Sequence, residues 1–149
     1  MKAKEQRSWT VEKVVGHLVE IRVIRLDSIE EVKRFSDAIQ RTAAATPDAI
    51  LIVDLRTPVV FPQPVTNAVA ELMMRANKVR KKTAILLAGE HAVFSMQLGR
   101  LARQAGDPRR QTFHDPDEML AWLADVLTDA EKKRAREFTG SHKGLSTAS

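Results

Sequence analysis

The chain has 149 residues, 44% of them hydrophobic and 29% charged, no cysteine, and a net charge of +5 at pH 7. That length suits one domain with its own core, and the composition is that of a globular protein. The lack of cysteine excludes disulfides, thiolate metal sites and cysteine nucleophiles, and no apolar run approaches the ~20 residues that cross a bilayer. The N-terminal run Met1-Lys2-Ala3-Lys4-Glu5-Gln6-Arg7 lacks the apolar core of a signal peptide, so a cytoplasmic location is expected. The basic excess is scattered among acidic residues. With no tyrosine and few aromatics near the cations, it does not describe a nucleic-acid surface.

Residues 9–15 alternate polar and apolar, as do 18–26, and only Gly16-His17 lies between them. That spacing predicts a tight β-hairpin. Ser28 and Glu31 form a capping box for a helix whose apolar stripe is Ile29, Val32, Phe35 and Ile39. Thr46-Pro47-Asp48 breaks it. Residues 49–54 then form a continuous apolar run ending at Asp54, which predicts a central strand covered on both faces. A loop with three prolines follows, and Thr66 is placed to cap a second helix with the stripe Val69, Leu72, Met73 and Ala76.

Residues 83–88 predict a second buried strand, stopped by Gly89. Phe94, Leu98 and Leu101 suggest a third helix, and residues 110–113 a short strand. Asp115-Pro116-Asp117-Glu118 is a strong helix start, followed by Met119, Leu120, Trp122, Leu123, Val126 and Leu127 on the buried face. The expected architecture is a single α/β domain: a mixed, mostly parallel sheet with an N-terminal antiparallel hairpin and helices on both faces. It spans residues 9–127, after a short lead at 1–8. Beyond Thr128 the apolar face fades, so 128–149 is expected to be a charged, disordered tail.

Catalytic and metal-binding apparatus is not visible. His17, His91, His114 and His142 are dispersed, with no pairing of ligands on one helical face. Asp115 and Asp117 are explained by helix-start chemistry. The glycines form no phosphate-binding spacing, and no serine sits in a nucleophile elbow. The cluster Arg75, Lys78, Arg80, Lys81 and Lys82 reads as cations complementing a helix C-terminus. Met73, Met74, Met96 and Met119 read as core filler.

The candidate working surface is the loop leaving the carboxyl end of the central strand, where open α/β sheets place ligands and partners. Val59-Val60-Phe61 sets three apolar side chains among prolines, outside any regular period. A stiff loop presenting such a tip binds at low entropic cost; folded under, the same residues would lid a pocket between the second helix and the sheet. The candidate binding residues are Arg56, Thr57, Val59, Val60, Phe61, Gln63, Thr66 and Asn67. No catalytic residue, metal or cofactor is expected.

The succession of hairpin, helix, buried strand ending in Asp54-Leu55, proline-interrupted loop, helix and second buried strand resembles the STAS domain, in its SpoIIAA-like, STAS/Sec14-type branch of small bacterial proteins. Phe113 and Asp115 through Trp122-Leu123 resemble that branch's closing strand and helix. The resemblance implies a non-enzymatic regulatory domain that contacts a protein partner, or itself as a homodimer, through the loop after the central strand. Anti-sigma-factor antagonists carry an Asp-Ser-Ser-Gly element there, whose serine is phosphorylated. Pro62-Gln63-Pro64-Val65 replaces it here, which implies that the phosphoserine switch is missing. The Sec14-type resemblance implies, as the alternative, a carrier or sensor of a small apolar or lipid ligand.

Overall fold

The structure, a computed structural model, describes residues 8–56, 61–75, 80–88 and 108–147. Its centre is a five-stranded sheet in the spatial order β1-β2-β3-β4-β5. The strands are β1 (Trp9–Val15), β2 (Leu18–Val23), β3 (Ala49–Leu55), β4 (Arg80–Leu87) and β5 (Arg110–Phe113). β1 pairs antiparallel with β2, and every later pairing is parallel. The hairpin closes through Gly16, whose φ of +55° suits a residue without a Cβ. β3 is central, as its unbroken apolar run predicts, with Ala49, Ile50, Leu51 and Ile52 at 2% exposure or less.

Helix α1 (Ile29–Ala44) starts as the capping box predicts: Ser28 Oγ accepts the backbone N–H of Glu31 at 3.1 Å. The Glu31 carboxylate in turn accepts the N–H of Asp27, one residue before the cap. Ile29 departs from the expected stripe, since it is 44% exposed while Val32, Phe35 and Ile39 are buried. It lies in the first turn, ahead of the point where α1 settles onto the sheet. Helix α2 spans Gln63–Arg75. It begins four residues earlier than a cap at Thr66 would have it, so Thr66 is not its cap. The Thr66 hydroxyl lies within the first turn, is buried, and donates back to the Pro62 carbonyl at 3.3 Å.

The chain adds β2, β3 and β4 in one direction, so crossovers of one hand put α1 and α2 on the same face. Val19, Ile21, Val23, Leu51, Leu55, Ile85 and Leu87 meet them there. The opposite face, with Leu18, Ile50, Ile52, Ala84, Leu86 and Phe113, packs against α3 (Pro116–Leu123) and α4 (Asp129–Thr147). α3 begins as expected, with Asp115 accepting the Asp117 N–H at 3.2 Å and Pro116 in the first turn. The helix expected around Phe94, Leu98 and Leu101 lies outside the described residues.

One expectation needs correction. Residues 128–149 are not a tail beside the domain, because α4 occupies 129–147 and buries Glu131, Ala135, Phe138 and Thr139 against the sheet. Their spacing of four, three and one residues is helical, but small and polar members keep the stripe from reading as apolar. β2, despite its alternating sequence, lies between β1 and β3 and buries both faces. Its alternating Glu20 and Arg22 point toward α4, where Arg134 forms a two-pronged ion pair with the buried Glu20 carboxylate.

Candidate functional site

At the carboxyl end of β3 the continuous apolar run meets its first charge. Asp54 is 2% exposed, so its carboxylate requires hydrogen-bonded cations to offset desolvation. Arg56 supplies most of them: its Nε donates to Oδ1 at 3.0 Å and its Nη2 to Oδ2 at 3.2 Å, while its backbone N–H reaches Oδ1 at 3.1 Å. Arg22, beside Asp54 in the parallel β2–β3 register, adds an Nε bond to Oδ2 at 3.2 Å. Burial pushes the Asp54 carboxyl up. The hydrogen bonds and charge of Arg56, with that of Arg22, outweigh it and hold the group below its ordinary range.

Both arginines then reach α4. Arg22 Nη2 donates to the Phe138 carbonyl at 2.6 Å, with its guanidinium 4.3 Å from the Phe138 ring centre, and Arg56 Nη2 donates to the Thr139 carbonyl at 2.9 Å. Arg56, expected as a partner-binding residue, therefore serves as a clamp between β3 and α4. Glu20 carried a signal that sequence reasoning missed. A carboxylate in a strand covered on both faces calls for a cation from a covering element, and Arg134 of α4 supplies it.

Of the two outcomes open to Phe61, the structure has the buried one. Phe61 is 5% exposed and belongs to the core between the sheet and α1 and α2, not to an exposed tip. There it lines a cavity of about 60 Å³ together with Val23, Leu26, Ile39, Leu55 and Val69, among others. The cavity runs along the sheet to Thr83 and Arg110. Thr57, Val59 and Val60 lie outside the described residues. Gln63 and Asn67 are exposed one turn apart and bonded to each other at 3.0 Å, with Pro62 and Pro64 exposed beside them. The structure thus brings Gln63 and Asn67 to one surface and separates them from the buried Phe61 and Thr66. A groove near them, between α1 and α2, is lined by Ile29, Lys33, Asp37, Gln40, Ala68 and Glu71, among others.

The remaining charged candidates serve structure. Lys82 lies in β4 rather than past a helix end, and its Nζ donates to the Trp122 carbonyl at 2.8 Å and to Asp125 at 3.0 Å. His17 is exposed in the hairpin turn, with Nδ1 2.7 Å from the Pro47 carbonyl oxygen. Among the described residues no three His, Asp or Glu side chains gather as metal ligands, and no helix is long and apolar enough to cross a membrane.

A crystal structure of an uncharacterised protein of the DUF3478 family from Shewanella loihica PV-4, described as having a SpoIIAA-like fold, is similar to this chain. The match has a TM-score of 0.55 and 17% sequence identity, over 77% of this chain and 91% of that one. At that identity the likeness shows the fold alone: this chain has a SpoIIAA-like fold. No protein-family model matches the sequence, and neither does any curated protein.

Proposed function

We propose that the chain is a non-enzymatic STAS-like binding domain whose ligand is a small apolar molecule held between the sheet and α1 and α2. One observation carries this reading. Phe61, which follows the loop after the central strand, is buried in the core and lines a cavity whose named walls are almost wholly apolar. An apolar cavity does not hold water well but accepts apolar ligands. Each methylene buried there contributes about 0.8 kcal/mol. A volume of about 60 Å³ is well below the roughly 300 Å³ at which drug-sized sites begin, so the ligand is a molecule of few heavy atoms rather than a bilayer lipid.

Xenon, an apolar probe of suitable size, tests the reading in methyl-labelled protein under pressure. Saturable shifts at the methyls of Val23, Ile39 and Val69 are expected, and their absence would discard it. Filling the cavity by Val69→Phe should abolish the shifts.

A second reading, contact with a protein partner or a second copy, is supported by the exposed first turn of α2, where Pro62, Gln63, Pro64 and Asn67 adjoin the α1–α2 groove and its exposed Ile29. Cross-linking followed by mass spectrometry should then place contacts on this turn. The double change Gln63→Arg and Asn67→Arg should remove them while leaving the melting temperature unchanged.

A further inference from the structure

We infer that two copies of this chain associate through α1, packed antiparallel about a two-fold axis that crosses the helix between residues 35 and 36. The inference deepens the second reading above: it names the partner as a second copy and sets the contact on α1, beside the α2 turn. Glu30, Arg34, Asp37 and Arg41 recur at four, three and four residues, so they follow one stripe of this 16-residue helix, with Lys33 next to it. All five are exposed, on the side of α1 opposite the buried Val32, Phe35 and Ile39. Charges at these spacings are near enough to pair along their own helix. Even so, none of the five is in an ion pair with a described residue.

Along the chain the charges of the stripe run negative, positive, negative, positive. A two-fold axis parallel to the helix would set each residue against its own copy, like against like. An antiparallel pair reverses the order and matches it. Glu30 then faces the partner's Arg41, and Arg34 faces the partner's Asp37, with Lys33 flanking that contact. The symmetry repeats both pairs, so all four charges of the stripe are met, as an isologous contact requires. A uniformly acidic or basic partner would meet half of the stripe with the wrong sign. The α2 side of the helix adds to the contact. Ile29, 44% exposed, lines the α1–α2 groove, and the same register sets it within a helical turn of the partner's Ala44, which is also exposed. The exposed Glu71 lines that groove with Lys33 and Asp37 and offers a second carboxylate to the cations of the other copy. A helix pair about 24 Å long covers less than the roughly 800 Å² per partner of a standard interface, so the dimer is weak and reversible.

The test follows the full chain by sedimentation velocity over a wide range of concentration. The unmodified chain is expected to move reversibly from monomer toward dimer as concentration rises. Arg34→Glu alone brings two carboxylates together at both symmetric contacts, and Asp37→Arg alone brings two guanidiniums together. Each should weaken the dimer about tenfold or more. Mixed in equal amounts, the two variants should recover the dimer as a hetero-pair, since the carboxylates of one copy then meet the guanidiniums of the other. Repulsion within a single helix is not relieved by mixing. An unmodified chain that stays monomeric throughout overturns the inference. So does a dimer that both variants keep at full strength, or one that they weaken without recovery in the mixture. The reading on the α2 turn fails separately: its cross-links survive both α1 variants and are lost in Gln63→Arg with Asn67→Arg.

Discussion

The carboxylate of Glu131, on α4, accepts the backbone N–H of His17, in the β1–β2 turn, at 2.7 Å across 114 residues of chain. The same carboxylate accepts the Thr128 N–H at 2.9 Å, while the Thr128 hydroxyl accepts the Glu131 N–H at 3.2 Å, a capping box at the start of α4. One buried side chain thus caps its own helix and fastens that helix to the hairpin. An ideal Cβ on Gly16 would lie 2.1 Å from Glu131 Oε2, so the turn leaves the carboxylate just enough room. Glu131→Ala leaves two backbone donors without their acceptor, and a buried unsatisfied group costs about 1–3 kcal/mol. Chemical denaturation should show a loss in that range. A change below about 0.5 kcal/mol, typical of ordinary surface positions, would mean that α4 is not held at its N-terminus.

Acid should weaken the same region. Burial pushes Glu131 up, but hydrogen bonds from His17 and Thr128 outweigh it, so its folded value is lowered, as is that of Asp54. A carboxylate with a lowered folded pKa stabilises fully above its unfolded value, and the contribution is lost as pH falls through the folded one. Stability should therefore be insensitive to these groups near neutrality and decline from about pH 4 downward. Melting curves of the unmodified chain and of Glu131→Gln, collected across that range, check this: the variant should show the shallower decline. Parallel declines would remove Glu131 from the acid response.

Deleting residues 128–149 should unfold the chain or strip much of its stability. The deletion would uncover Leu18 and leave Glu20 without Arg134, and breaking a buried ion pair by removing one partner costs about 3–5 kcal/mol. Phe138→Ala is the milder probe. Phe138 is 5% exposed beneath the Arg22 guanidinium, and such truncations cost about 3–5 kcal/mol. A truncated chain with unaltered circular dichroism and melting temperature would restore the view of 128–149 as a dispensable tail.

Local chemistry with a short reach was legible in the sequence. Ser28 with Glu31, and Asp115 with Pro116, act within one helical turn, and the structure has both helix starts where those residues place them. Residues 49–54 announced the central strand because a strand covered on both faces has no polar side to show. What escaped depends on partners far along the chain. Glu20 and Arg22 imitate a solvent face until Arg134 and the Phe138 carbonyl are set opposite them. Thr66 carries a capping residue's side chain, yet the helix begins earlier, at Gln63, and turns that hydroxyl inward. Phe61 offered both outcomes, because an apolar residue among prolines reads the same whether the loop points out or folds under.

Phe61→Ala separates those outcomes in solution. Were Phe61 an exposed tip, its truncation would leave the melting temperature almost unchanged and act on association alone. Buried at 5% against Leu55, Val65 and Val69 in one cluster, it should instead destabilise the fold, by about 3–5 kcal/mol where the site cannot collapse. The lost ring also enlarges the cavity it lines, so the variant that remains folded should accept bulkier apolar probes than the unmodified chain. Benzene is the natural choice, since an apolar cavity of about 150 Å³ holds it. Thermal melting with and without benzene reads both effects: a lowered melting temperature, partly restored by benzene in Phe61→Ala alone. A variant that melts like the unmodified chain and gains nothing from benzene would put Phe61 outside the cavity and remove the observation on which the proposed function stands.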